Sequence, residues 1–420
     1  MSRRLNLLTP PLILFFIFAF TFYIRRDQLL QPLTLTRHDG GIPSRPSWSL
    51  VEDGAILPSS NITQYLGAIF NAQSSTLPNL ECPAINTTRY DALKVKGFSG
   101  PATKYFFALN LRQNLVLLPR LIGSIVEASR FLGPEHCTLS IVEGNSPDGT
   151  ADVLSALRPA LESVGITYYL KSSEIDPSED DRIGRLARLR NLALAPLFDV
   201  PGKATKDTTV VFLNDVSACA EDILELLHQK KSLGADMTCA MDWTHAAKDP
   251  TFYDVWVARS IDGDSFFDIP PNGSWDSAWN IFWNAEKTRT RFLDKRPFQV
   301  FSCWNGATAF TAEPIIKQTV RFRSANEAAG ECMQGEPQLF CKDLWAKGYR
   351  KIAVIPSVNL EYSIEKGKMI KEAKGFTSDN VANQDAAGDK IDWKGDPPEK
   401  VKCMPTWGNQ YWQLWNETLK

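Results

Sequence analysis

The sequence has no surplus of charge of either sign. Its 46 lysines and arginines face 48 aspartates and glutamates, which gives a formal net charge of −2. Proteins that bind nucleic acid usually carry a concentrated basic surplus. The balance therefore argues against nucleic acid as a partner.

Histidine is scarce and the cysteines lack one common spacing. There are four histidines in 420 residues, and no two cysteines are spaced as C-x-x-C. The missing spacing argues against zinc ribbons and thioredoxin chemistry. Only His245 closely follows a candidate site residue, Asp242, and we expect it at the surface rather than as a ligand. No carboxylate pair is placed as a glycoside hydrolase needs it.

The cysteine count is even, which fits an oxidising compartment. Disulfides are the expectation and buried thiols the alternative, and the sequence does not give the pairing. The eight residues are Cys82, Cys137, Cys219, Cys239, Cys303, Cys332, Cys341 and Cys403.

The N-terminus predicts a membrane anchor. Residues 5–24 contain no charge and lie between arginine pairs, so they match the length of a spanning helix, and bulky residues at their end argue against cleavage. Residues 1–4 would then be a cytoplasmic tail. Four N-x-Ser/Thr sequons favour a luminal location for the rest. They begin at Asn61, Asn86, Asn272 and Asn416.

The remainder divides by composition. Residues 25–100 are rich in Pro, Ser, Thr and Gly and predict a luminal stem, with a short helix around Ile62 to Phe70. Residues 101–420 predict one catalytic domain. Within it we expect a nucleotide-sugar-binding half (101–243), an acceptor-binding half (244–365) and a polar and aromatic C-terminal segment (366–420). The polar part of that segment is compatible with a lid or with a mobile loop.

The catalytic region alternates strands and helices. Strand-like runs at KYFFALNL, TLSIVEG, ITYYLK and TVVFLND are each followed by a helical stretch, and ADMTCAMDW follows the last. Four such units predict an α/β fold with a mostly parallel, doubly wound central sheet. Further strands are expected at Phe298 to Phe310 and Lys351 to Ile355. Ligands of such sheets bind where the strands end.

Polar groups follow the first and second predicted strands. Asn110, Arg112 and Asn114 end the first and suit a nucleotide, or alternatively a self-satisfied turn. The second ends in Glu143-Gly-Asn145-Ser-Pro-Asp148-Gly-Thr, where Asp-Gly predicts a tight turn. Taken as turn chemistry alone, this loop does not assign a function.

Arginines recur along one predicted helix. Arg182, Arg185 and Arg188 are spaced i, i+3, i+6, so we expect them roughly on one face, with Arg190 and Asn191 closing the run. Arginine suits diphosphate because it stays charged and donates paired hydrogen bonds. A solvated basic face is the alternative.

The strand TTVVFL ends in Asn214 and Asp215. An acid placed there is suited to hold a metal, and oxygen ligands favour Mg²⁺ or Mn²⁺ over zinc. Only one acid stands here, whereas nucleotide-sugar glycosyltransferases with the GT-A fold, which these strand-end motifs resemble, usually carry Asp-x-Asp. Asp215 as the N-cap of the following helix is the alternative.

Later motifs suggest the acceptor side. Polar groups lie among aromatics at Asp242-Trp243 and at Trp304-Asn305, which suits stacking on sugars, although aromatics are commonly core. Asp242 is a candidate catalytic acid. Acids near the last predicted helix are candidates to orient an acceptor hydroxyl. These are Glu331, Glu336 and Asp343.

These motifs, in this order, resemble the fungal cryptococcal-type α-1,3-mannosyltransferases of glycosyltransferase family 69, from about Lys104 to Ser363. The matching landmarks are FFALNLRQN, IVEGNSPDGT, RLARLRNLAL, VVFLNDV, CAMDW, Asp254-Val-Trp256 with Arg259, FSCWNGATAF and Cys341-Lys-Asp-Leu-Trp345 to Pro356.

The resemblance implies a GT-A-type nucleotide-sugar transferase fold. It implies transfer of mannose from GDP-mannose, with retention, to a mannose-containing acceptor, using Mn²⁺ or Mg²⁺. It also implies a type II protein of the Golgi or endoplasmic reticulum membrane with a luminal catalytic domain. A glycosyltransferase complex or a homodimer is a further expectation. The alternatives are another nucleotide-sugar donor and a catalytically weak glycan-binding or scaffold protein.

The resemblance also assigns roles to the candidate residues. Asp215 would hold the metal, Trp243, Trp304 and Asn305 would bind the acceptor, and Asp242, Glu336 and Asp343 would serve catalysis. The donor would be bound by Asn110, Arg112, Glu143, Asn145, Asp148, Arg188, Arg190, Asn191 and Asn214.

Overall fold

The computed structural model describes residues 51–71, 76–95, 102–200, 202–245 and 249–419. The predicted tail (1–4) and signal anchor (5–24) lie outside these residues. Within the described ranges, no helix is both long and apolar enough to cross a membrane.

The described chain forms strands and helices in alternation. The strands are β1 (Thr103–Leu111), β2 (Cys137–Glu143), β3 (Thr167–Ser172), β4 (Ala204–Leu213), β5 (Met237–Thr244), β6 (Thr251–Phe252), β7 (Arg259–Ser260), β8 (Phe298–Ser302), β9 (Ala307–Thr311), β10 (Ile352–Leu360), β11 (Lys400–Thr406) and β12 (Asn409–Leu414). The α-helices are α1 (Ser59–Phe70), α2 (Thr87–Tyr90), α3 (Leu118–Leu132), α4 (Thr150–Ala156), α5 (Arg158–Ser163), α6 (Arg182–Leu194), α7 (Pro196–Asp199), α8 (Ala220–Ser232), α9 (Glu286–Leu293), α10 (Glu313–Ile316), α11 (Glu336–Ala346), α12 (Ile364–Lys374), α13 (Thr377–Val381) and α14 (Ala386–Asp389).

One mixed sheet organises the fold. Its strand order is β3-β2-β1-β4-β9-β5-β10-β8-β7, with β6 beside β5. Neighbours from β3 to β4 pair in parallel, as do β5 and β10, whereas β9 lies antiparallel to both β4 and β5. The predicted mostly parallel α/β sheet is confirmed. Strand β9 lies largely within the strand predicted at residues 298–310, but its antiparallel insertion between β4 and β5 was not predicted.

The strand order places a topological switch beside β1. The chain runs outward from β1 to β3 and then returns to β4 on the other side of β1. In open α/β sheets, ligands bind at the carboxyl ends of the strands at such a switch. The site is therefore expected where β1 and β4 end, at Leu111 and Leu213.

A tight turn splits the predicted strand of residues 298–310 into β8 and β9. Asn305 and Gly306 both have positive φ, 54° and 80°. A Cβ at Gly306 would meet Val216 at 3.1 Å and Asp242 at 3.2 Å. Glycine therefore lets this turn approach the ends of neighbouring strands.

Part of the predicted stem packs on the domain. Helix α1 buries Ile62, Leu66 and Ile69, and the backbone carbonyl of Ile69 would lie 3.1 Å from a Cβ at Gly123 in α3. Farther on, Arg89 makes two hydrogen bonds to Glu225 in α8, at 2.7 and 2.8 Å. This part of the predicted stem packs on the domain because the apolar face of α1 needs a surface to bury against.

The C-terminal segment is also packed. Lys371 in α12 pairs with Asp222 in α8 at 2.8 Å, and both side chains are buried. Thr377 donates to the same carboxylate at 2.6 Å. Beyond α14, β11 and β12 form a hairpin that was not predicted as strands.

Disulfides form, as predicted, and they join distant segments. The bridges are Cys82–Cys219, Cys239–Cys303 and Cys332–Cys403. Cys137 and Cys341 are free and buried.

Thiol labelling tests this pairing. We expect iodoacetamide to modify Cys137 and Cys341 when the full-length chain is denatured without reductant, and neither in the native protein, because both are buried. Peptide mapping by mass spectrometry would identify the labelled positions. Labelling of any of the six paired cysteines before reduction would contradict the assignment.

Candidate active site

A cavity of about 520 Å³ opens where β1 and β4 end. This volume falls within the roughly 300–1,000 Å³ that is usual for small-molecule sites. Its charged and amide side chains are Asn110, Arg182, Arg190, Asn214, Asp215, Asp254 and Glu336. Its aromatic side chains are Phe212, Tyr253, Trp256, Trp275, Trp304, Tyr362 and Trp407.

Asp215 is an enclosed carboxylate without a direct ion pair to any described residue. Its Oδ2 accepts a hydrogen bond from Asn114 Nδ2 at 3.2 Å. Burial raises the pKa of Asp215, while the hydrogen bond and the charge of Arg190 oppose that rise. Helix α8 is capped by Cys219 and Asp222 rather than by Asp215. The carboxylate therefore remains open to a cation.

Arg190 is the centre of a network of polar contacts in the cavity lining. Its Nε pairs with Glu336 Oε1 at 2.8 Å, and its Nη1 lies 3.4 Å from Asn214 Oδ1. The guanidinium lies 4.5 Å from the centre of the Trp304 ring, whose Nε1 donates to the same Asn214 oxygen at 3.0 Å. This network fixes side chains from α6, β4, α11 and the β8–β9 turn together.

The arginines of α6 do not share one face as predicted. Arg182 and Arg190 line the cavity with Leu186, whereas Arg188 is exposed elsewhere. At about 100° per residue, Leu186 and Arg190 lie about 40° and 80° around the helix from Arg182, but Arg188 lies about 120° away in the opposite direction. Arg185 pairs instead with Glu179 at 2.7 Å.

The loop after β2 is organised mainly by its own hydrogen bonds. Glu143 accepts the backbone N–H groups of Asn145 and Ser146 at 3.0 and 2.8 Å. Asp148 accepts those of Leu115 and Thr150 at 3.1 and 3.0 Å. The carboxylates predicted to contact a nucleotide thus brace the turn, and neither lines the cavity.

Three other predicted donor residues, Arg112, Asn145 and Asn191, also lie outside the cavity lining. Arg112 pairs with Asp176 at 2.8 Å. Asn191 brackets the backbone of Phe322, donating to its carbonyl at 2.8 Å and accepting from its N–H at 3.1 Å. Asn110 does line the cavity, as predicted.

An acid pair lies beside the cavity at the end of β5. Tyr362 donates to Asp242 Oδ2 at 2.5 Å, and Asp254 Oδ2 accepts the Asn305 N–H at 2.9 Å. The other oxygen of Asp242 is buried and has no hydrogen-bond partner among the described residues. Burial raises the pKa of Asp242 to about 7. Burial and the neighbouring Asp242 raise the pKa of Asp254 well above its ordinary value.

Some predicted acceptor and catalytic residues support the fold instead. Trp243 is buried and donates to Asn359 at 2.8 Å, and Asn305 donates to the Ala240 carbonyl at 2.9 Å. Asp343 is held by Arg323 through two hydrogen bonds of 2.8 Å. None of these three lines the cavity, whereas Trp304 and Glu336 do.

Sequence reasoning assigned no site role to several lining residues. Asp254 and Trp256 were noted only as landmarks, although an acid among aromatics was a usable signal. Tyr362 follows β10, so its position at a strand end could have been used once β10 was placed beside β5. Trp275 and Trp407 gave no signal, because they come from loops distant in sequence.

Comparison with known proteins identifies the family. The profile described as cryptococcal mannosyltransferase 1 matches residues 104–343. The α-1,3-mannosyltransferase CMT1 of Cryptococcus neoformans is 37% identical over 318 residues, which are 72% of this chain and 68% of that protein. The chain belongs to the cryptococcal mannosyltransferase family. It is a glycosyltransferase, as members of this family are.

Solved structures are only distantly similar to this family member. S. aureus TarS 1–349 is 12% identical with a TM-score of 0.37, covering 67% of this chain and 66% of that one. The mannosyltransferase PcManGT of Pyrobaculum calidifontis, in complex with GDP-Man and Mn²⁺, is 13% identical with a TM-score of 0.35, covering 72% and 66%. Scores this low carry no argument about the site.

The cavity offers few protein ligands for a metal. Among the described residues, no three His, Cys, Asp or Glu side chains group as a metal site. Asp215 fits a divalent cation because it is desolvated and lacks an ion-pair partner among the described residues. Asn214 fits poorly, since its carbonyl oxygen already accepts from Trp304 and Arg190.

The raised pKa of Asp242 gives a pH-dependent stability. As pH rises from the ordinary pKa of 3.8 to about 7, the carboxyl of Asp242 ionises in the unfolded chain but keeps its proton in the folded one, so this group costs stability progressively. In Asp242→Asn this cost is absent, so its free energy of unfolding should rise relative to wild type across that window, by at most about 1.4 kcal/mol per pH unit. Urea unfolding of both full-length chains from pH 4 to 8 measures the difference. A constant difference would contradict the assignment.

Proposed function

We propose that this glycosyltransferase moves mannose from GDP-mannose to a mannose-containing glycan acceptor, with retention, forming an α-1,3 linkage in capsule or cell-wall polysaccharide synthesis. The cavity carries the proposal, since it combines Arg182, Arg190 and Asp215 at the strand ends. Arginine N–H groups suit phosphate oxygens, and a carboxylate suits the metal that accompanies them. The name of the Cryptococcus relative supports the choice of sugar and linkage.

We assign the donor to the side of the cavity formed by β1, β4 and α6, in a GT-A-type fold. The topological switch between β1 and β4 supports this placement. Arg190 is already neutralised by Glu336 at 2.8 Å, whereas Arg182 is exposed at the cavity and hydrogen-bonds only to the Pro177 carbonyl, at 3.3 Å, among the described residues. Arg182 is therefore the cation that a diphosphate would engage first.

Asp215 would hold Mn²⁺ or Mg²⁺. When bound, such an ion neutralises the charge that develops on a departing diphosphate. A single protein carboxylate is compatible with this, because Mg²⁺ is commonly bound by one or two carboxylates together with substrate phosphates and water.

The acid pair lies on the acceptor side of this proposal. Asp254 lines the cavity and is fixed by the Asn305 N–H, so it would orient an acceptor hydroxyl by a hydrogen bond. Asp242 would hold Tyr362 in place through their hydrogen bond, and its protonation would be coupled to that of Asp254. In a same-face transfer the leaving diphosphate takes the acceptor proton, so no separate protein base is assigned.

The cellular setting is part of the proposal. We place the protein in the Golgi or endoplasmic reticulum membrane as a single-pass type II protein with a luminal catalytic domain. The apolar stretch 5–24 and the four sequons support this, and so do the three disulfides, which need an oxidising compartment.

Asp215→Ala tests the proposed metal site. Transfer from GDP-mannose to a mannobioside should be Mn²⁺-dependent in the full-length chain and fall by roughly a hundredfold or more in the variant. Mn²⁺ binding, followed by electron paramagnetic resonance, should be lost as well. Asp207→Ala is the matched control, because Asp207 is exposed on β4, the strand that leads to Asp215, and lies outside the cavity.

The result separates the alternatives. Unchanged Mn²⁺ binding and turnover in Asp215→Ala would overturn the metal assignment. Transfer from another nucleotide sugar in a donor panel, but not from GDP-mannose, would overturn the donor. No transfer from any donor by a folded wild-type chain would favour the glycan-binding alternative.

Arg182 and Arg188 give a matched pair on one helix. Arg182→Ala should raise the KM for GDP-mannose about tenfold, because it removes a charged hydrogen-bond donor from the cavity. Arg188→Ala should leave that KM unchanged, since Arg188 is exposed outside the cavity. Steady-state kinetics at saturating acceptor measure both. Equal effects would contradict the placement of the donor on this helix face.

A further inference from the structure

The cavity has two chemically different sides. The ends of β1 and β4 and the helix α6 supply charged and amide groups. Trp275 and Trp407, from two separate loops, supply indole rings on the aromatic side. Both tryptophans are half-buried, so part of each is open to a ligand, whereas Trp304 is only 1% exposed and is engaged by Arg190.

Trp407 comes from the turn of the β11–β12 hairpin, outside the span of residues 104–343 that matches the family profile. The hairpin is fastened to the cavity wall at several points. Trp256 Nε1 donates to the Met404 carbonyl at 2.6 Å, and Arg259 Nε donates to the Lys402 carbonyl at 2.8 Å. The strand β11 is thereby tied to the segment that carries Asp254.

A disulfide makes a further connection. Cys403 in β11 is bonded to Cys332, three residues before Gly335 and four before Glu336, both of which line the cavity. The hairpin and the start of α11 are therefore covalently coupled beside the same cavity.

The hairpin turn rests on the loop that precedes Trp275. Gln410 Nε2 donates to the carbonyls of Ile269 and Trp407, at 2.9 and 2.7 Å. A Cβ at Gly273 would lie 3.0 Å from the Trp407 ring, and Gly273 has a φ of +76°. Glycine at this position therefore makes room for the indole.

We propose that Trp407 and Trp275 form the subsite for a pyranose ring of the glycan acceptor, and that the C-terminal hairpin thereby sets acceptor affinity. The proposal rests on the proposed transferase function and extends it to acceptor recognition. An indole face presents a flat apolar surface to the C–H groups of a sugar, while its neighbours remain free to hydrogen-bond hydroxyls. A diphosphate, in contrast, would find no arginine to bind on the aromatic side, because the arginines that line the cavity belong to α6.

Trp407 was not among the acceptor residues predicted from the sequence. The proposed subsite replaces two of those residues, Trp243 and Asn305. Trp243 is enclosed in the core, 1% exposed, and Asn305 is fully enclosed. Neither can contact a sugar without rearrangement of the fold. The accessible indoles of the cavity therefore replace them as candidates.

The test compares Trp407→Ala, Trp407→Phe and Trp412→Ala in the full-length chain. Trp412 is 48% exposed on the same hairpin but does not line the cavity, which makes it the matched control. Three quantities are measured: the KM for a methyl mannobioside, the rate of GDP-mannose hydrolysis without acceptor, and direct binding of the mannobioside by saturation-transfer NMR.

We expect Trp407→Ala to raise the mannobioside KM about tenfold, which corresponds to loss of one aromatic stacking contact. Trp407→Phe should recover part of the loss, and hydrolysis should stay unchanged in both. Trp412→Ala should behave as wild type.

Other results would overturn the proposal. An unchanged KM in Trp407→Ala rules out the subsite, and an equal fall of hydrolysis and transfer indicates a structural role for the tryptophan. Failure of the transferase function is recognised separately. In that case wild type would neither transfer nor hydrolyse GDP-mannose, and mannobioside binding alone would decide whether Trp407 contacts a sugar.

Discussion

The buried guanidinium of Arg190 joins parts of the chain that are far apart in sequence. It pairs with Glu336 at the start of α11, approaches Asn214 at the end of β4, and lies over the ring of Trp304 after β8. A buried charge is costly unless it is paired and hydrogen-bonded, so each of these partners is held in place by the need to satisfy it. These contacts position Arg190 and its partners in the cavity lining without a ligand.

The charges of the cavity are unevenly satisfied. Glu336 neutralises Arg190, whereas Asp215 has only an amide hydrogen bond and Asp242 leaves one buried oxygen unpartnered among the described residues. Groups left in this state favour ligands that supply what is missing. For Asp215 that is a cation. Asp254 lines the cavity beside the enclosed Asp242 and can accept a hydrogen bond from a hydroxyl, so the two ends of the cavity suit different parts of a transfer reaction.

Local patterns in the sequence predicted most of the sheet and only part of the site. Strands β1 to β4 were predicted because each is an apolar run followed by a helical pattern, and β5 because an apolar run follows the last of these helices. Asn110, Asn214 and Asp215 follow from their strand ends. Residues 298–310 were predicted as strand, but the antiparallel insertion of β9 between β4 and β5 was missed, because it depends on the turn at Asn305 and Gly306. Arg188 was misplaced because a spacing of i, i+6 does not keep one helix face. Glu143 and Asp148 look like ligands in sequence but are used by backbone N–H groups of their own loop.

The C-terminal hairpin explains why an active site can depend on residues that a local pattern does not reveal. Trp407 lines the cavity from a hairpin whose strand β11 is held by a disulfide to the loop before α11 and by hydrogen bonds from Trp256 and Arg259. These contacts cross more than seventy residues of sequence, from Cys332 to Cys403. The entropic cost of closing a loop grows only slowly with its length, so a segment distant in sequence can form one side of the cavity at little extra cost.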